Sequence, residues 1–350
     1  MKRLIADTYV ADRGWRCRTL RLEHEPVSPE EVRLEVVQET EPTEVTVEQV
    51  EHQDGLLTIT TAPFPYGSYG VQWTLSIRDE TYSRKDVTEE HVEGLDGFTA
   101  EQEGSVLYRL YRPEASVPRP LILFLHGVGE SGNDNFSQMV GTVGAIRLAE
   151  RYPDMYIMAP QAPARPKTAD QTRASRQSFA EATMNITYGW TRTYLSQICD
   201  IIRKMIAAGQ VDPHRVYVTG LSMGGGGALC AMSVGADLFA ASAPVCPTMT
   251  PESFAILRGL THGKLWISAA YVDHTIYRHK YIVDGILELR DRGNQDAHLT
   301  LYSPEELQAY GIATDPNLSL KELFAENHNC WILTYNNEHG ILSWLTEQVK

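Results

Sequence analysis

Ser222 is where a chemical reading of this 350-residue chain begins. It lies in residues 215–234, RVYVTGLSMGGGGALCAMSV, where an alternating apolar run meets Gly220-Leu221-Ser222-Met223-Gly224 and then three more glycines, Gly225, Gly226 and Gly227. The spacing predicts a strand over 216–219, a sharp turn carrying the serine, and a helix from about 223. So tight a turn strains the backbone of the serine, and Cβ atoms two residues to either side would strike the neighbouring chain, hence glycine at 220 and 224. The later glycines let the first helical turn approach adjoining strands, and the amides that open the helix suit a developing negative charge. The chemistry this permits is nucleophilic attack by a hydroxyl projecting from a sheet.

A serine hydroxyl is a weak nucleophile at neutral pH, so it needs a base and a group that orients the base. Both are expected at C-terminal strand ends after the serine, acid first and histidine second. Asp273 directly follows the apolar run LWISAAYV and is the candidate acid. Asp284 and Asp291 fall in the helical stretch 276–291, where a solvated face is the expectation. Of the 11 histidines, His24, His52 and His91 lie near the N-terminus, His214 precedes the serine's strand, His298 begins a strand, and His274 and His279 stand too close to Asp273 in sequence. His328, in a polar loop within AENHNCWILTYNN, and His339, just before the final helix, both suit the position, and His328 is favoured. For the oxyanion of a tetrahedral intermediate, the strand LILFL runs into His126-Gly127-Val128-Gly129-Glu130-Ser131-Gly132. The Val128 amide is expected to pair with that of Met223 as an oxyanion hole, with the His126 side chain bracing the loop. Such a site needs no cofactor and no metal, and no His-x-x-x-His spacing on a helix suggests one.

Two kinds of element must position these groups. From Glu31 the periodicity is two residues (Val32, Leu34, Val36; Val45, Val47; Leu57, Ile59; Val71, Trp73, Leu75, Ile77), which predicts a small antiparallel β unit with one buried face. The stretch 78–104 is polar and glycine-punctuated, and the boundary is placed there, giving domains 1–95 and 96–350. Beyond it, strands expected at 105, 121, 156, 216, 240, 265 and 298 alternate with helices. In the helix expected over 193–208, Leu195, Ile198, Ile201, Ile202, Met205 and Ile206 form one stripe and Gly209 stands at the left-handed C-cap. This is the pattern of an α/β domain, a mostly parallel sheet covered on both faces.

Composition bounds the partners. A net charge of -14, of which residues 1–100 carry -10, repels phosphate backbones and anionic lipid, so neither nucleic acid nor a membrane is expected. No apolar stretch reaches the roughly 20 residues of a membrane span. The N-terminus does not read as a signal peptide, and five cysteines without CxxC spacing read as thiols of a reducing compartment, so the expected location is cytoplasmic, with secretion the alternative if a leader has been trimmed.

Read together, LHGVGESGNDN (125–135), APQAP (159–163), VYVTGLSMGGGGAL (216–229) and HNCWILTYNNEHGILSWL (328–345) resemble blocks of the α/β-hydrolase fold, within it the phospholipase/carboxylesterase-like serine esterases of predicted-peptidase type. The resemblance covers roughly residues 100–350. It implies Ser222, Asp273 and His328 as a triad, with the Val128 and Met223 amides as oxyanion hole. His-x-x-Trp at 328–331 favours His328 over His339. The resemblance also implies an immunoglobulin-like β-sandwich for the N-terminal region. Two segments, 163–192 and 303–327, are longer than the family's norm and are expected to wall the pocket. The leading expectation is a serine carboxylesterase acting on a small ester with a short acyl chain through an acyl-enzyme, with a homo-oligomer through the N-terminal domain a further expectation. The competing readings are a serine peptidase, a phenolic or acetyl ester hydrolase acting on plant polysaccharide, and a non-catalytic carbohydrate-associated binding protein.

Overall fold

Among the described residues nine strands precede residue 98, with alternating inward residues clearest in Val32–Gln38, Leu56–Pro65 and Val71–Ile77. The computed structural model describes residues 2–38, 41–67, 70–164, 189–273, 276–337 and 339–350. By density of contacts the chain divides into two units, Met1–Gly97 with Met139–Ile146, and Phe98–Gln138 with Arg147–Lys350.

The first unit contains β1 (Leu4–Ala11), β2 (Gly14–Glu23), β3 (Val32–Gln38), β4 (Glu41–Val45), β5 (Val47–Gln53), β6 (Leu56–Pro65), β7 (Val71–Ile77), β8 (Glu80–Tyr82) and β9 (Glu89–Val92). They form a five-stranded sheet, β5-β6-β2-β1-β9, and a four-stranded one, β4-β3-β7-β8. Where the sheets meet, Trp73 of β7 packs on Phe64 of β6 and on Tyr66, with ring centroids 6.1 and 5.7 Å apart. Each such pair contributes about 0.5–1.5 kcal/mol beyond the area it buries. The region is all-β, yet two features differ from expectation. Strands already begin at Leu4, and β9 pairs parallel with β1. The hairpin β1–β2 escapes a strict two-residue reading because the pairing of β2 with β6 shifts between Cys17 and Thr19, so buried Trp15 and Cys17 give way to buried Leu20 and Leu22 out of phase.

The second unit is an eight-stranded sheet ordered β10-β11-β13-β12-β14-β15-β16-β17, from β10 (Phe98–Glu103), β11 (Val106–Tyr111), β12 (Arg119–Leu125), β13 (Tyr156–Pro160), β14 (Val211–Leu221), β15 (Ala241–Val245), β16 (Leu265–Ala270) and β17 (Ala297–Tyr302). The pairs β10–β11 and β11–β13 are antiparallel. From β13 to β17 every neighbour is parallel. Central strands read as unbroken apolar runs because both faces are covered: β15 is buried at all five positions. The polar β10, FTAEQE, lies in the stretch expected to be linker and is an edge strand held by its hairpin with β11.

The helix Arg192–Ala207 buries Leu195, Ile198, Ile201, Ile202 and Met205, is capped at Thr191, whose side chain accepts from the Tyr194 amide, and is followed by Gly209 at φ +73°. Most of the segment 163–192, expected to wall a pocket, lies outside the described residues. The other, 303–327, carries the helices Pro304–Ala309 and Leu320–Asn327. No helix among the described residues is long and apolar enough to cross a membrane.

Candidate active site

β14 lies in the middle of the sheet, between β12 and β15, and delivers Ser222 beyond its C-terminal end. Ser222 adopts φ 56°, ψ -115°, a conformation costing about 1–3 kcal/mol that surrounding structure must hold in place. The amide of Ser222 donates to the Val245 carbonyl at 3.0 Å, and its carbonyl accepts from the Thr248 amide at 2.8 Å, so the turn is tied to the end of β15. The helix Met223–Val234 follows at once. Glycine is needed on both sides of the serine: a Cβ on Gly220 would lie 2.5 Å from the Leu125 carbonyl oxygen, and one on Gly224 only 1.9 Å from it.

His328 approaches from the other side. Its Nε2 lies 2.9 Å from Ser222 Oγ and its Nδ1 2.8 Å from Asp273 Oδ2. The three side chains come from positions separated by 106 and 55 residues. Asp273, three residues beyond β16, is 4% exposed. Burial opposes a charge on His328, but the neighbouring Cys246 sulfur and the Asp273 carboxylate outweigh it and push the imidazole up to about 9. The structure does not bring the other candidates to this place. His339 is exposed on a turn, its amide donating to Asn337 Oδ1 at 3.1 Å, while Asp284 and Asp291 are exposed on the helix Ile276–Asp291.

One expectation is corrected: His328 is not in a loop. It follows the helix Leu320–Asn327 directly and opens a 3-10 turn, His328–Cys330, that kinks at Asn329 before the helix Trp331–Asn336. The missed signal was Ser319-Leu320-Lys321-Glu322, a capping box in which the serine hydroxyl accepts from the Glu322 amide at 3.3 Å and Glu322 accepts from the Ser319 amide at 2.8 Å. The helix after His328 is held to the sheet by Thr334, whose Oγ1 lies 2.9 Å from Ser268 Oγ, and by Tyr335, whose hydroxyl lies 3.0 Å from Thr219 Oγ1.

Beside Ser222 runs the loop after β12. A Cβ on Gly127 would stand 3.8 Å from the Ser222 Cβ. Val128 opens the 3-10 turn Val128–Glu130, and Met223 opens the helix after the serine, so both amides belong to helix starts, which leave their first N–H groups without an acceptor in the helix. His126 braces this loop. Its Nε2 accepts from the Ala162 amide at 2.9 Å, leaving Nδ1 to donate to the Gly127 carbonyl at 2.6 Å, and Trp190 Nε1 donates to the His126 carbonyl at 3.1 Å. Fully buried, His126 is held neutral, its pKa lowered to about 4. Glu130 is pushed up to about 7 by burial, 3.9 Å from the same ring.

Sequence reasoning assigned no role to several residues that support these groups. Gln161 spans the loop after β12: its Nε2 donates to the Glu130 carbonyl at 3.1 Å and to Asp134 Oδ1 at 2.8 Å, and its Oε1 accepts from the Asn135 amide at 2.8 Å. The APQAP block contained it, but nothing in composition separates such a glutamine from a surface one. Cys246 and Cys330 are fully buried, and the Cys246 sulfur is close enough to His328 to raise its pKa. Cys246 has φ +35°, uncommon for a residue with a Cβ, directly after β15. Among the described residues no group of three or more His, Cys, Asp or Glu is arranged to hold a metal ion.

With this geometry in view, comparison with known proteins is informative about the fold. Residues 112–241 match the family described as Phospholipase/Carboxylesterase. Over its whole length the chain superposes on the whole of a thermostable esterase, with 20% identity and a TM-score of 0.69. Esterase 2 of Thermogutta terrifontis, solved phosphorylated by paraoxon, is 15% identical over 60% of this chain and 83% of its own, at a TM-score of 0.40. A putative dienelactone hydrolase from Klebsiella pneumoniae is 15% identical over 68% of this chain and 96% of its own, at 0.43. Comparison with curated proteins gives no match. The chain has the α/β-hydrolase fold, preceded by an all-β region.

Proposed function

We propose that this α/β-hydrolase is a serine carboxylesterase that cleaves small, short-chain acyl esters through an acyl-enzyme. The observation that carries the reading is His328, with one ring nitrogen 2.9 Å from Ser222 Oγ and the other 2.8 Å from Asp273 Oδ2. The Asp273 contact fixes the tautomer, so Nε2 is the free base facing the hydroxyl. His328 takes the hydroxyl proton as Ser222 attacks the ester carbonyl. The negative oxygen that forms is received by the Val128 and Met223 amides, each worth roughly 3 kcal/mol when correctly aimed. His328 then hands its proton to the leaving alcohol, and a water, deprotonated by the same imidazole, releases the acid from Ser222. No step calls on a cofactor.

The test is a fluorophosphonate probe followed by mass spectrometry, together with a panel of p-nitrophenyl esters of increasing acyl length and a matched anilide series. Labelling at Ser222, loss of labelling and turnover in Ser222→Ala, and highest kcat/KM on the shortest esters are expected. An intact protein that is never labelled overturns the serine mechanism, and anilides cleaved as fast as esters favour a peptidase. The proposal also takes the all-β region as a surface for self-association; light scattering of the full chain that returns the monomer mass counts against that part. The five cysteines, all buried and unbridged, support a reducing compartment.

A further inference from the structure

Asn327 lies one residue before His328, at the end of the helix Leu320–Asn327, and it is 5% exposed. Its side-chain Nδ2 donates to the Val272 carbonyl at 2.9 Å. That carbonyl belongs to the peptide unit whose nitrogen is Asp273's own. One part-buried hydrogen bond thus joins the residue before the proposed base to the peptide before the proposed acid, across 55 residues of sequence.

The bond acts on the peptide that leads directly into Asp273. β16 ends at Ala270, and the Tyr271 amide donates to the Tyr302 carbonyl at 2.8 Å. Two residues later the carboxylate must meet His328 Nδ1 at 2.8 Å. Rotation of the Val272–Asp273 peptide plane would carry the Asp273 side chain with it. We infer that Asn327 is a positioning residue, whose amide sets the His328–Asp273 distance by clamping the peptide that leads into Asp273. The inference rests on the proposed Ser222–His328–Asp273 site. A donor is required because the partner is a carbonyl, and a side chain of the same shape without one would remove that carbonyl's bond to Asn327.

Asn327→Leu keeps the shape and removes the donor, while Asn327→Gln keeps an amide on a longer arm. For Asn327→Leu, kcat is expected to fall about 10- to 100-fold at unchanged KM, as for a misplacement of about 1 Å in catalytic geometry. Its acid limb of kcat/KM should move to lower pH. The groups facing His328 that set this limb are Asp273 beyond β16 and Cys246 beyond β15, and of these only the Asp273 contact is loosened. The downfield proton resonance of the His328–Asp273 hydrogen bond should move upfield. Asn327→Gln should recover most of kcat and the parental pH profile. Should Asn327→Leu fail to fold, Asn327→Gln and Asn327→Asp are compared instead, the carboxylate lacking the donor and expected to lose kcat where the amide does not. If the donor-less variant melts lower yet keeps the parental kcat, pH profile and resonance, Asn327 is only structural and the inference falls. The serine reading is tested separately: activity persisting in Ser222→Ala removes that reading, whereas an inactive Ser222→Ala with a parent-like donor-less variant removes the inference alone.

Discussion

Gly224→Ala offers the sharpest test of how the serine turn is built. A Cβ at this position would stand 1.9 Å from the Leu125 carbonyl oxygen and 2.5 Å from its carbon, both backbone atoms. Neither can swing aside as a side-chain end could. Leu125 is paired with Gly220 in the β12–β14 ladder, so the strand is held on the side facing the turn. Relief to a tolerable contact of about 3 Å requires the helix start and Leu125 to separate by about 1 Å. Leu125 leads directly into His126 and the Val128 turn, so the separation moves the proposed oxyanion amides relative to Ser222 Oγ. A shift of this size costs about 100-fold in rate, and overpacking of a tight contact costs about 1–3 kcal/mol of stability. The variant should therefore hydrolyse p-nitrophenyl acetate with kcat lower by about two orders of magnitude, label slowly with a fluorophosphonate, and melt several degrees lower. Gly259→Ala, at the end of the helix Pro251–Gly259 with nothing within 4 Å of its Cβ, is the control and should be parent-like in both assays. A Gly224→Ala protein with parental kcat would refute the claim that this contact sets the geometry of the turn.

In the proposed mechanism His328 must be neutral to accept the serine proton, and it is pushed up to about 9, so kcat/KM for a neutral ester should rise with pH and be half-maximal near that value; a limb at the ordinary histidine value of 6.5 contradicts the stated surroundings. His126 is held down to about 4 in the fold against an ordinary 6.5, so the unfolded chain binds the extra proton and acidification through that window removes stability, by at most roughly 3 kcal/mol. His126→Gln should show a correspondingly shallower loss in urea melts taken across that window, whereas Glu130, raised to about 7, contributes with opposite sign in both proteins. An unchanged slope in the variant would mean that His126 is not held neutral.

By itself the sequence determined the parts that depend on neighbours in the chain. Alternation and length sufficed for the seven strands from β11 to β17, the stripe and Gly209 defined the helix Arg192–Ala207, and GLSMG dictated the turn at Ser222, because each of these is a property of residues a few positions apart. Local rules failed where a bulge shifted the phase of β2, where a polar edge strand, β10, took its support from a partner, and where the Ser319 capping box was overlooked. Tertiary structure alone decided the rest. Which histidine meets Ser222, that Asn327 reaches the Val272 carbonyl, and that Gln161 ties down the loop after β12 all depend on distances between strand ends far apart in the chain. A parallel sheet brings those ends to one edge by crossovers of many residues, and no sequence spacing encodes the last ångström of that approach; packing does.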